Sequence, residues 1–152
     1  MIVYRIAKTR HIHDLSGSGA RVYGGRWNDK GIPVIYTSET RSLATVEYLV
    51  HVPLSIVPDR ISIASIKIPD RIRPKEISVS DLPANWRDYP PPSELATLGT
   101  DWALASETLL LRVPSAVVER EFNILINPSH RDMKHVVVSQ VEEYKFDARL
   151  FP

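Results

Sequence analysis

Hydrophobic and polar positions alternate over residues 2–7, which predicts a strand with Val3, Arg5 and Ala7 on one face and Ile2, Tyr4 and Ile6 on the other. A glycine-bearing stretch, SGSGARVYGGRWNDKGIP, follows and predicts a loop without persistent regular structure. Residues 34–37 form a short β-prone run. Ser38 then stands as the predicted cap of a helix over 38–51, with Glu39 in its first turn and Leu43, Val46 and Val50 recurring at helical spacing. Residues 61–68 predict a strand of isoleucines whose phase slips near Ala64-Ser65, as a β-bulge makes it do. The segment 69–93 holds six prolines and reads as a long excursion stiffened by Pro90-Pro91-Pro92. Thr100 or Asp101 caps a predicted short helix through Trp102, Leu104 and Ala105, and residues 108–113, 122–126 and 136–144 predict three more strands. Strands outnumber helices and the order is mixed, so the fold class is α+β, with a mostly antiparallel sheet core and flanking short helices.

One position breaks this pattern. At about 100° per residue, Val46, Val50, Leu43 and Ala44 mark one apolar arc of the predicted helix, and Glu47 falls inside it. A carboxylate on a buried face must be matched by a cation, held by hydrogen bonds or open to a cleft, because an unpaired buried charge is expensive. Upstream, Gly24 and Gly25 permit a tight backbone and a nest of N–H groups for an anion, and Arg26 adds a planar fork suited to phosphate or ribose oxygens. Trp27 anchors that loop in this reading, and Asn28 ties its backbone. Tyr36 ends the short strand just before the Glu47 helix, where a strand-to-helix turn brings ring and carboxylate toward one wall. Ser115 follows Pro114 in a turn, with no nucleophile elbow around it.

Composition narrows the classes. The 152 residues predict a single domain, 1–152, with 43% hydrophobic and 24% charged residues, as in ordinary globular proteins. No apolar run approaches the ~20 residues of a membrane span, and the N-terminus lacks the features of a signal peptide, so the expected location is cytoplasmic, without membrane association. Cysteine is absent, which removes thiolate metal sites and thiol nucleophiles. The 19 Lys and Arg are dispersed among 18 acids, so no direct nucleic-acid binding is expected. The five histidines show no familiar metal spacing, and neither a Walker loop nor a dinucleotide-binding helix occurs, so no metal and no true cofactor are expected.

Taken together, GARVYGGRWNDKGIPVIYTSETRSLATVEYLVH, LPANWRDYP, LGTDWALASETLLLRVPSAVVEREFNILINPSHRDM and the terminal FDARL strongly resemble the RES family, named for an arginine, a glutamate and a serine. The resemblance spans essentially the whole chain, with its motifs in order. It implies an ADP-ribosyltransferase-like fold and a bacterial toxin neutralised by a cognate Xre-type antitoxin. It also implies action on NAD as substrate, by hydrolysis or phosphorolysis of the nicotinamide–ribose bond, inorganic phosphate being a partner in the latter, or by ADP-ribosyl transfer to a protein. By position, the named residues look like Arg26, Glu47 and Ser115, with Tyr36 similar to the family's pocket tyrosine and Gly24, Gly25, Trp27 and Asn28 expected on the substrate; Asn123 and Asn127 are read as structural. The alternative from another class is a non-catalytic interaction module in which Arg26 and Glu47 simply pair across the core.

Overall fold

A computed structural model of the chain describes residues 1–152 apart from Leu54 and Val57. Among the described residues, seven strands form one sheet: β1 (Ile2–Lys8), β2 (Ile35–Ser38), β3 (Ile61–Lys67), β4 (Lys75–Glu76), β5 (Leu110–Pro114), β6 (Phe122–Ile126) and β7 (Val137–Tyr144). Their order is β4-β5-β6-β2-β1-β3-β7, and every pairing is antiparallel except that of β4 with β5. Three helices accompany them: α1 (Ser18–Tyr23), α2 (Arg41–Leu49) and α3 (Ser93–Ala105). The architecture is α+β around a largely antiparallel sheet, but the bulge expected in β3 is not there: β3 keeps unbroken register with β1, and the irregularity opposite Ser65 and Ile66 places the extra residue, Ser139, in β7.

The central strands are apolar on both faces, and their alternation separates two cores. Ile35, Leu110, Ile124 and Ile126 join Val3, Ala64 and Ile66 on one side. Leu111, Val113 and Leu125 join Trp27, Trp86, Leu95 and Trp102 on the other, with Tyr36 packed against them. This parity decides where polar side chains near the strand ends point. Register places Tyr36 opposite Leu125 and Ser38 opposite Asn123, while Asn123 also faces Val113. Ser38, Asn123 and Ser115 therefore prolong the tryptophan face beyond its last apolar row.

Three boundaries differ from the sequence expectation. The glycine-bearing loop contains α1, which runs from Gly17 in a left-handed conformation to Gly24, whose N–H closes on the Ala20 carbonyl at 2.8 Å. Helix α2 starts later than expected because Ser38 is held in β2 by its pairing. Thr40 caps the helix instead, accepting from the Leu43 N–H at 3.0 Å, and Glu39 is drawn away to Arg112 at 2.6 Å. Val50 is 54% exposed, so the apolar arc of α2 ends short of it. Helix α3 begins directly after Pro92, leaving Thr100 and Asp101 in its interior; Leu95, Gly99, Trp102 and Ala103 form its buried stripe.

Gly99 is the tightest point of this packing. A Cβ there would lie 1.7 Å from the Trp27 carbonyl oxygen, so α3 rests on the backbone of the GGRWN loop. Gly99→Ala is expected to destabilise the protein by about 3 kcal/mol, because backbone cannot yield as a flexible side chain does. Urea unfolding checks this, and an unchanged midpoint would mean that α3 does not seat on Trp27.

Candidate active site

Glu47 lies on α2 with its carboxylate turned toward the ends of β5 and β6. Its Oε1 accepts two hydrogen bonds, from Ser115 Oγ at 2.7 Å and from Asn123 Nδ2 at 2.6 Å. Neither donor is free to do otherwise. Ser115 Oγ accepts from the Val117 and Val118 N–H groups at 3.1 and 3.0 Å, which directs its own proton to Glu47. Asn123 Oδ1 accepts from Ser38 Oγ at 2.7 Å, which turns the amide nitrogen toward the carboxylate. Among the described residues Glu47 Oε2 has no partner. Since no buried side-chain polar atom among the described residues lacks one, Oε2 reaches the surface.

Arg26 approaches from the GGRWN loop. Its Nη1 donates to the carbonyls of Trp86 at 2.7 Å and Asp88 at 3.1 Å, leaving Nε and Nη2 without a partner among the described residues. Burial pushes its guanidinium pKa down, opposed chiefly by the field of Glu47, so the two charges share a neighbourhood. They nevertheless form no ion pair among the described residues. The pairing on which the non-catalytic alternative depends is thus not made.

The loop itself is built from backbone bonds. Gly25 N–H donates to the Asn28 carbonyl at 3.0 Å and Asn28 N–H returns to Gly25 at 3.4 Å, closing a tight hairpin. The Tyr36 hydroxyl accepts from Trp27 N–H at 3.1 Å and donates to Asn28 Oδ1 at 2.6 Å. These bonds, with that of Gly24 to Ala20, occupy the N–H groups of Gly24, Gly25, Trp27 and Asn28. The expected anion nest is therefore not available, because the turn consumes its donors internally. Trp27 and Asn28 are 3% and 1% exposed and stand behind the loop as its support; Asn28 Nδ2 binds the carbonyls of Ala20 and Ile32. Burial raises the Tyr36 phenol pKa well above its ordinary value, so it stays protonated.

The structure thus gathers Arg26, Tyr36, Glu47 and Ser115 around one end of the tryptophan face, with Gly25 against Tyr36. Two surface cavities, of about 290 and 400 Å³, lie elsewhere and are lined by none of these side chains. Ser38 and Asn123 were not singled out from sequence as site residues, although a lone Asn inside the apolar FNILI run, on the same strand parity as the tryptophan face, carries the signal. Asn127 does hold backbone, donating to the Ala103 carbonyl at 2.9 Å.

With this geometry in place, comparison with known proteins identifies the class: the chain belongs to the RES domain family, residues 2–147 matching that domain. Among similar proteins, "Toxin Res" of Yersinia enterocolitica is 38% identical over 152 residues, covering 99% of each chain. "Prs ADP-ribosylating toxin" of a Sphingobium species is 36% identical over 146 residues, covering 95% of this chain and 91% of that one. The fold is shared with a chain of the M. tuberculosis MbcT–MbcA toxin–antitoxin complex, at a TM-score of 0.75 over 95% of this chain and 84% of that chain, with 18% identity.

Gly25 offers a test of the loop. A Cβ there would come within 2.7 Å of the Tyr36 hydroxyl. Gly25→Ala is expected to lower stability by about 1–3 kcal/mol. In a Tyr36→Phe background the clashing oxygen is gone, so the double variant should lose less than the sum of the singles in thermal unfolding. Strict additivity would refute the contact.

Proposed function

We propose that this chain is a toxin that cleaves the nicotinamide–ribose bond of NAD, with Glu47 stabilising the positive charge that develops on the ribose. The observation that carries this reading is the carboxylate anchored through one oxygen, its other oxygen open to solvent, beside an arginine that does not neutralise it. In the reaction the C1′–N bond breaks with its electron pair moving to the pyridinium nitrogen, so nicotinamide leaves neutral. An acceptor oxygen then forms the new bond to C1′; water releases its proton in doing so, and phosphate gives the sugar phosphate. Glu47 Oε2 faces the oxocarbenium-like centre or holds the ribose hydroxyls, as carboxylates do in glycoside hydrolysis. The free nitrogens of Arg26 suit the diphosphate. Tyr36, protonated and with its hydroxyl already committed, contributes its ring and not a proton. Ser115 and Asn123 act as positioning residues.

A second reading, ADP-ribosyl transfer to a protein, is favoured by the name of the Sphingobium relative. It uses the same bond cleavage with a different acceptor. Likeness to a chain from a toxin–antitoxin complex supports an antitoxin as a protein partner, its Xre type resting on the family resemblance.

Incubating the antitoxin-free protein with NAD, with and without phosphate, and following nicotinamide by chromatography tests the proposal; folded protein that releases none and labels no macromolecule would sink it. Labelled ADP-ribose on a macromolecule with little free product selects the second reading. Glu47→Gln, which keeps shape and removes charge, is expected to slow turnover about a hundredfold or more.

Asn123→Ala and Ser115→Ala are each expected to lower kcat about tenfold with a much smaller change in KM, since each donor fixes the acid and not the substrate. Equal losses in thermal stability with kcat untouched would reduce both residues to a structural role.

A further inference from the structure

At the opposite end of β5 and β6 the protein carries a second polar cluster. Leu109, just before β5, borders a cavity of about 290 Å³ that is also lined by Arg71, Arg73, Glu107, His130, Arg131 and Asp132. Along the strand, Leu109 and Ser115 are six residues apart, roughly 20 Å at the β-strand rise. The cavity is therefore separate from the Glu47 cluster.

Its donors are unusually free. Among the described residues, Arg71, Arg73 and Arg131 make neither a hydrogen bond nor an ion pair, although Arg73 lies within the longer-range field of Asp70. His130 is only 7% exposed, and its Nδ1 accepts the Asp132 N–H at 3.1 Å while the Asp132 carboxylate stands 3.8 Å from the same nitrogen. With Nδ1 the acceptor, the neutral ring carries its proton on Nε2. Among the described residues that nitrogen has no partner, and no buried side-chain polar atom lacks one, so Nε2 is reached by solvent on a residue that lines the cavity. The Nε2–H of His130 and three guanidinium forks outnumber the two carboxylates of Glu107 and Asp132. Guanidinium pairs bind phosphoryl oxygens in bidentate fashion, and carboxylates on the rim accept hydroxyls.

We propose that this cavity is a binding site for a phosphoryl anion, supplied either as free phosphate or as the phosphomonoester of a small hydroxylated molecule. Its volume sits at the small end of ligand sites. The site does not depend on the NAD reading, so it is tested in the Glu47→Gln protein. Inorganic phosphate, ribose 5-phosphate and ribose are titrated calorimetrically at constant ionic strength. Saturable binding of one or both phosphates, and not of ribose, is expected. Ribose 5-phosphate binding tighter than phosphate identifies an ester as the source; equal affinity identifies free phosphate.

The Arg71→Ala/Arg131→Ala double variant is expected to weaken that binding about tenfold or more. His130→Asn keeps a side-chain acceptor for the Asp132 N–H and removes the Nε2 donor, and a severalfold loss is expected there without a change in fold. Arg149→Ala, at an exposed arginine outside the cavity, is expected to leave the titration unchanged. No saturable binding up to roughly 10 mM overturns the proposal. So does affinity that is indifferent to the Arg71/Arg131 pair, or that falls with Arg26→Lys, since the phosphate would then lie at the Glu47 cluster.

Discussion

A single carboxylate oxygen joins the helix and sheet layers. Glu47 Oε1 collects the Ser115 hydroxyl and the Asn123 amide, tying α2 to the end of β5 and the start of β6. A half-buried charge on a partly apolar helix face is otherwise unfavourable, and charge-assisted hydrogen bonds of this kind offset its desolvation. Because both donors fall on one oxygen, the arrangement also decides which oxygen is left for a ligand. Ser38 enters the same chain by fixing the orientation of the Asn123 amide, so three strands and a helix together determine the position of one acid.

The opposing wall is made differently. Arg26 is carried by a hairpin with no repetitive structure of its own, and that hairpin is rigid because its support is apolar. Trp27 is packed with Trp86, Trp102 and Leu95, α3 presses on its carbonyl through Gly99, and Tyr36 pins its N–H. The arginine is tied in turn to the proline-rich segment through the Trp86 and Asp88 carbonyls. In the turn before α2, Glu39 pairs with Arg112, whose guanidinium lies 3.5 Å from the Phe122 ring centroid, steadying the β2–α2 turn from the other face of the sheet.

Much of this was legible in the sequence. The longer strands and the mixed class follow from alternation, and Glu47 declared itself by interrupting an apolar arc; the short β4 inside the proline-rich segment and the bulge in β7, expected instead in β3, did not. What sequence did not reveal depended on competition between local and distant partners. Ser38 is a fair cap, yet pairing with Asn123 claims it for β2 and Thr40 takes over. The α3 stripe from Leu95 to Ala103 was in the sequence but lay hidden behind the prolines of the preceding segment. The nest expected at Gly24-Gly25 failed because the turn satisfies its own N–H groups, which no spacing of residue types discloses. Asn123 looked structural because its partner is remote in the chain, separated by 76 positions.

The two-sided apolar character of β5 and β6 has an evolutionary consequence. Shifting either strand by one residue exchanges its faces; both meet hydrophobic layers, so most points would still receive leucine, isoleucine or valine, although in β5 Arg112 would be turned from Glu39 toward the tryptophan face. Ser115 or Asn123 would instead be carried to the wrong side of the sheet. In this fold, a single-residue insertion or deletion in β6 is a change that the hydrophobic layers could absorb and the hydrogen bonds to Glu47 could not.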